Sequence, residues 1–139
     1  MEKSFVMIKP GFLEFEPQIV ERLSKIGKIT KRQKMKLNDE ILAAHYHEHI
    51  GKPFYEDLCK YMKSGEVVGF QVEGEDGLVE KIIEAVGSAK NPEKGTIRHE
   101  FGIGEITRNV IHASDSPKSG QEECNRMFEQ INQFGIEIL

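Results

Sequence analysis

Ser4-Phe5-Val6-Met7-Ile8-Lys9-Pro10-Gly11 holds four consecutive apolar side chains and closes on a proline and a glycine. A short apolar run bounded by turn residues suits a buried strand. Such a strand needs covering elements, and the residues that follow supply them. Pro17 fits the first turn of a helix in which Ile19, Val20, Leu23 and Ile26 share a face and Gly27 is the stop. Ile29 to Leu37 is strand-like at its ends and basic between them (Lys31, Arg32, Lys34, Lys36), which predicts an exposed or edge strand. Asn38 can cap a helix through Ile41, Leu42 and Tyr46, with Gly51 near its end, and a second short helix follows Pro53 through Phe54, Leu58 and Met62.

Val67 to Val72 is β-branched and aromatic, hence a strand. Leu78, Val79, Ile82, Ile83 and Val86 form a helical stripe before Gly87, and Ser88 to Gly95 is a loop. Asn109-Val110-Ile111-His112 reads as a strand, and Ser116-Pro117 opens a last helix with Cys124, Met127, Phe128 and Ile131 on one face. The order β-α-β-(α-α)-β-α-β-α predicts an α/β (α+β) chain. Its expected form is a ferredoxin-like sandwich, a four-stranded antiparallel sheet with helices packed on it, as a single domain over residues 1–139.

Composition bounds the function. The chain is 38% hydrophobic and 30% charged over 139 residues, an ordinary globular mixture. No apolar run approaches the roughly 18 residues of a membrane helix. Met1-Glu2-Lys3-Ser4 leads into the first strand without a signal-peptide pattern, and Cys59 and Cys124 form no disulfide framework or CxxC pair. A cytoplasmic location is the expectation. The net charge of −4, from 19 basic and 23 acidic residues, argues against a general nucleic-acid binder. It leaves room for a small anion held by a few local cations.

The densest polar constellation is Asn109-x-x-His112-Ala113-Ser114-Asp115-Ser116, where a strand meets a helix start. A histidine there can be a nucleophile, a general base or a metal ligand; Ser114 and Asp115 can equally be capping residues. Lys9 stands at the end of the first strand, where open α/β sheets bind ligands; it is a point charge for phosphate or a lysine snorkelling at the rim. Arg98, after Gly95-Thr96-Ile97, adds a second cation, which can also be a surface ion pair. His45 and His49 lie four apart, a spacing that fits a metal but is more simply a solvated helix face. Gly102-Ile103-Gly104 is too short for a dinucleotide fingerprint.

Together these segments resemble the nucleoside diphosphate kinase family over nearly the whole chain. Asn109-Val110-Ile111-His112-Ala113-Ser114-Asp115-Ser116 matches its active-site signature. Phe5-Val6-Met7-Ile8-Lys9-Pro10, His45-Tyr46, Gly51-Lys52-Pro53-Phe54, Tyr61-Met62-Lys63-Ser64-Gly65 and Gly95-Thr96-Ile97-Arg98 stand where that family has them. The resemblance implies ping-pong transfer of the terminal phosphate from a nucleoside triphosphate to a diphosphate through a phosphohistidine at His112. It implies that Glu123 fixes the other ring nitrogen, that Ser114 belongs to the same network, and that Lys9, Tyr46 and Arg98 meet the phosphates. Asn109 is implied at the ribose, with Phe54 and Leu58 against the base. Mg²⁺ is implied on the nucleotide phosphates, with no metal site on the protein itself. The implied partners are nucleoside tri- and diphosphates and further copies of the chain, with no membrane or nucleic acid.

The chain departs from the family pattern in several places. Gly11-Phe12 replaces Asp-Gly after Pro10, and the helix from Val79 to Val86 carries no arginine where the family has a second phosphate ligand. Lys90 replaces a threonine, and Lys81 or Lys90 can substitute for the missing cation only without its bidentate fork. Only Glu93 and Lys94 separate Pro92 from Gly95, and the segment from Phe101 to Asn109 is one residue longer. The shortened loop predicts a dimer, with the family's hexamer weakened or replaced. The missing arginine leaves an alternative function, a nucleotide-binding regulatory or scaffold protein of the same fold with weak or no turnover.

Overall fold

The computed structural model describes residues 1–105 and 108–139. Five strands form one sheet: β1 (Glu2–Ile8), β2 (Lys28–Lys36), β3 (Val67–Gly74), β4 (Ile111–Ala113) and β5 (Glu137–Ile138), in the spatial order β4-β1-β3-β2-β5. All pairings are antiparallel. The first four give the expected ferredoxin-like order. The fifth corrects the expectation of four: two residues are too few to show a period of two, and β5 pairs only with Met35 and Lys36 of β2.

Phe5, Val6, Met7 and Ile8 are fully buried, because β1 is a central strand covered on both faces. Phe5 and Met7 face a core closed by α2 (Asp39–His45), α3 (Tyr55–Met62) and α6 (Pro117–Cys124). Val6 and Ile8 face the opposite core, closed by α1 (Glu16–Ser24), α4 (Leu78–Val86) and α5 (Ile97–Phe101). Each buried Phe, Ile or Met side chain contributes about 1.5–3 kcal/mol of transfer free energy, which makes this strand the centre of both cores.

The helix starts follow local chemistry. Asn38 Oδ1 accepts from the Ile41 N–H at 3.1 Å, while its Nδ2 donates to the Phe134 carbonyl and ties α2 to the C-terminal stretch. Ser116 Oγ accepts from the Ser119 N–H at 3.1 Å, with Pro117 in the first turn of α6. Beyond Cys124 the helix loosens into a π turn (Asn125–Glu129) and then a 3₁₀ turn (Ile131–Phe134). Cys124, Met127 and Ile131 stay buried through these changes, as the stripe predicts.

Gly120 sets how closely α6 lies on the sheet. A Cβ at that position would stand 1.8 Å from the Lys3 carbonyl oxygen. Only glycine permits this approach, and the approach brings the next turn of α6 over the end of β4.

Candidate active site

His112 is the middle residue of β4 and pairs with Met7 across the ladder. Side chains alternate along a strand, so Phe5, Met7 and His112 point to the same face, and the rings of Phe5 and His112 lie 5.9 Å apart. On that face α6 presents Glu123. His112 Nε2 and Glu123 Oε1 are 2.7 Å apart, with side chains 19% and 14% exposed. A carboxylate can only accept, so Nε2 carries a proton, and in the neutral ring it is Nδ1 that keeps the lone pair. Ser114 Oγ donates to the same Glu123 oxygen at 2.8 Å and accepts from the Phe5 N–H at 2.9 Å. Ser114 is fully buried, so the pair of strands, the serine and the glutamate form one fixed support for the imidazole.

Lys9 follows β1 directly, and its backbone N–H donates to the Val110 carbonyl at 3.0 Å. It is only 6% exposed. Burial, with a smaller push from Arg98, lowers its pKa to about 8. The Tyr61 hydroxyl donates to the Pro10 carbonyl at 2.5 Å and holds the turn that carries Lys9. Arg98 sits on α5, whose start is capped by Thr96 Oγ1 accepting from the His99 N–H at 3.3 Å. Its Nη1 donates to the Gly87 carbonyl at 2.7 Å and its Nη2 to the Ile111 carbonyl at 3.0 Å, while its buried Nε has no partner among the described residues. Arg98 is therefore a braced cation beside β4 and not the surface ion pair that its neighbourhood in the sequence also allowed.

Tyr46 is buried at the end of α2, and its hydroxyl has no partner among the described residues. Burial, then nearby Glu123, raises its pKa. Asn109 is buried, and its Oδ1 accepts from the Ile111 N–H at 3.3 Å. Phe54 immediately precedes α3 and is 42% exposed, with Leu58 buried one turn further on. The exposed ring and its apolar neighbour form a shelf on the same side of the sheet as His112. Lys90 lies in the loop after α4, and its exposed side chain makes no hydrogen bond or ion pair among the described residues. Residues 106 and 107, within the lengthened segment before Asn109, lie outside the described residues.

Two features were not legible as site features. His45 was expected on a solvated helix face with His49, but α2 ends at His45 and residues His47–His49 form a 3₁₀ turn. The helical period therefore does not carry on to His49, whose ring turns toward Tyr46 and Phe54. The His45 ring turns inward, 4.6 Å from that of His112, and both its nitrogens are sealed without a partner among the described residues. Burial, then the neighbouring His112, holds its pKa well below 6.5. Gly120 is the second, and its only signal in the sequence is a poor helix former in a helix interior.

The arrangement offers an oriented imidazole, a carboxylate behind it, the buried Lys9 and the partly buried Arg98, which suits attack on a phosphoryl group. The comparisons agree with this chemistry. A protein from Methanothermobacter thermautotrophicus named nucleoside diphosphate kinase is 38% identical over 94% of this chain and 89% of its own length. A protein of that name from Chloroflexus aggregans is 42% identical over 97% of this chain and 92% of its own length. The crystal structure of the nucleoside diphosphate kinase of Encephalitozoon cuniculi superposes with a TM-score of 0.87 at 26% identity, over 92% of this chain and 89% of that one. That of Aquifex aeolicus gives 0.84 at 29% identity over 99% of each chain. The family description "Nucleoside diphosphate kinase" matches residues 2–132, and the chain belongs to that family.

Proposed function

We propose that His112 carries the phosphoryl group in the nucleoside diphosphate kinase reaction of this chain. Nδ1 attacks the γ-phosphorus of a nucleoside triphosphate, the bond to the β-bridging oxygen breaks, and the diphosphate leaves. A second nucleoside diphosphate then takes the group back through its terminal oxygen, in ping-pong order. The observation that carries this reading is the 2.7 Å contact between His112 Nε2 and Glu123, which leaves Nδ1 as the free nucleophilic atom.

Lys9, Arg98 and Tyr46 meet the phosphates in this reading. The unpartnered Tyr46 hydroxyl and Arg98 Nε are donors that a phosphate would satisfy. Asn109 contacts the ribose, Phe54 stacks on the base and Leu58 supports it, and Lys90 is a long-stemmed cation in the loop after the helix that lacks the arginine. Mg²⁺ bound with the nucleotide would supply charge neutralisation to its phosphates. It is a hard ion that takes phosphate and water oxygens, so the nitrogen-rich His45, His112 and Glu123 trio is not its site. The intact His112, Glu123 and Ser114 network favours the enzyme over a scaffold that has lost turnover.

No helix among the described residues is long and apolar enough to cross a membrane. We further propose a single-domain protein of the cytoplasm. We also propose a dimer built on α1 and the outer edge of β2, which β5 covers only at Met35 and Lys36. Light scattering over a concentration series measures this, and a hexamer persisting at sub-micromolar protein would refute it. The enzymatic reading is tested by labelled ATP. Acid-labile, base-stable label on His112, absent in His112→Gln together with turnover, is the expected result; a mutant that still exchanges phosphate normally overturns it.

A further inference from the structure

The buried ring of His45 has no part in the transfer just described. Both its nitrogens lack a hydrogen-bond partner among the described residues, an arrangement that costs free energy unless something else satisfies them. A donor nitrogen of His45, one of His112 and a carboxylate oxygen of Glu123 lie within 4.8 Å of one another. A cleft of about 420 Å³ opens on His45 and Glu123 of this trio, lined also by His47, Glu48, Glu122 and Arg126. With Glu123 it presents three carboxylates against one guanidinium, a balance that draws in a cation.

We propose that His45, His112 and Glu123 form a Zn²⁺ site, reached through this cleft, whose filling takes the phosphoacceptor histidine out of reaction. Two imidazoles and a carboxylate are a donor set for a borderline divalent ion, and three protein ligands leave a fourth position for water. Zn²⁺ binds imidazole nitrogen at about 2.0–2.1 Å, so tetrahedral donors stand ~3.3 Å apart. His112 and Glu123 already sit 2.7 Å apart. The His45 ring, held by no hydrogen bond among the described residues, closes the tripod by rotating toward them. Ser114, bonded to Glu123 at 2.8 Å, orients the carboxylate as a supporting group.

The inhibition rests on the His112 reading above and follows from the tautomer. Zn²⁺ replaces the proton between His112 Nε2 and Glu123. That proton moves through solvent to Nδ1, no net proton is released, and Nδ1 loses the lone pair that attacks phosphorus. The ion thus converts the nucleophilic tautomer into an inert one.

The test uses the purified full chain without nucleotide. Titration with Co²⁺ should produce the visible bands of a four-coordinate ion at one equivalent per chain, and Zn²⁺ should displace them. His45→Phe and His45→Gln, each checked for fold by circular dichroism, should weaken Zn²⁺ at least about tenfold. His47→Ala, in the mouth of the cleft, should bind as the parent chain does. Transfer with excess Mg²⁺ is then measured for each protein as the ratio of rates with and without Zn²⁺, so that differences in basal rate cancel. The parent should be inhibited and rescued by chelator, and both His45 variants should resist. Unchanged Zn²⁺ affinity in both His45 variants, or equal loss in His47→Ala, overturns the site. Transfer that continues with the ion bound overturns the inhibition. Phosphate labelling of His112 without Zn²⁺ separates either result from a failure of the phosphohistidine reading.

Discussion

The Ser114 hydroxyl donates at 2.8 Å to the same Glu123 oxygen that holds His112 at 2.7 Å. One carboxylate oxygen therefore reads a residue of β4 and the serine just beyond its end, and the fully buried serine fixes where that oxygen can sit. Ser114→Ala removes a hydrogen bond to a charged acceptor and leaves the Phe5 N–H, which donates to Ser114 Oγ at 2.9 Å, without its partner. Hydrogen bonds to charged groups contribute about 1.5–3 kcal/mol, so turnover should fall roughly ten- to a hundredfold. Stability should fall by about 1–3 kcal/mol through the orphaned donor. Steady-state kinetics with denaturant melts checks both. The Michaelis constant should change little, since neither residue meets the nucleotide. A variant with normal turnover would remove Ser114 from the support of His112.

Lys9 should make nucleotide binding pH-dependent. Its pKa is down at about 8, from an ordinary 10.5, chiefly because burial disfavours the ammonium. Between these values the unfolded chain holds a proton that the folded chain has released. Stability therefore gains from Lys9 as pH rises from about 8 toward 10.5, and below 8 the burial penalty is fully present. Nucleotide phosphates reverse the local balance by favouring the charged form. Binding between about pH 8 and 9 should accordingly take up a proton. Calorimetry in two buffers of different ionisation heat measures the uptake, and Lys9→Met should abolish it. Equal heats in both buffers for the parent chain would show that Lys9 does not face the phosphates.

Gly120→Ala tests the seating of α6. The added methyl would meet the Lys3 carbonyl oxygen, which is backbone and cannot swing away. Helix propensity favours alanine by about 1 kcal/mol, but overpacking of this kind costs typically 1–3 kcal/mol or more, so the substitution should destabilise. Because Glu123 lies on the next turn of the same helix, turnover should fall with stability. Thermal melts and kinetics on the same preparation test the link; a stable, fully active variant would refute the close approach.

The central strand was legible because its burial on both faces writes a continuous apolar run, Phe5 to Ile8, that no other local signal opposes. The helix starts at Asn38 and Ser116 were legible because capping is local chemistry. The site was legible through motif resemblance around His112, which periodicity alone could not supply. Three things escaped for physical reasons. β5 is two residues long and is held by pairing with β2, a contact without a sequence signature. His45 turns inward because α2 stops beneath it, and helix ends are where a 3.6-residue period loses its meaning. Gly120 is defined by a carbonyl on another element, far away in sequence.

The missing arginine gives the last prediction. α4 carries no arginine from Leu78 to Val86; Leu78, Val79, Ile82 and Val86 are buried, while Ile83 is 39% exposed. Ile83 lies one turn before Gly87, whose carbonyl accepts from Arg98 Nη1 at 2.7 Å. A guanidinium at position 83 would thus project from the helix that already braces Arg98, and replacing an exposed isoleucine removes no core contact. If the phosphates bind beside Lys9 and Arg98, Ile83→Arg should add a charge-assisted hydrogen bond of about 1.5–3 kcal/mol. Catalytic efficiency should then rise roughly ten- to a hundredfold, through the Michaelis constant where the contact is equal in ground and transition states and through turnover where it is not. Ile83→Lys separates charge from geometry, because lysine supplies the charge without the bidentate fork. A gain with arginine and a smaller one with lysine would assign the phosphate site to this face of α4. No gain with either, in a folded protein, would assign the phosphate contact to Lys81 or Lys90, and Lys90→Ala should then lower efficiency where Ile83→Arg failed to raise it.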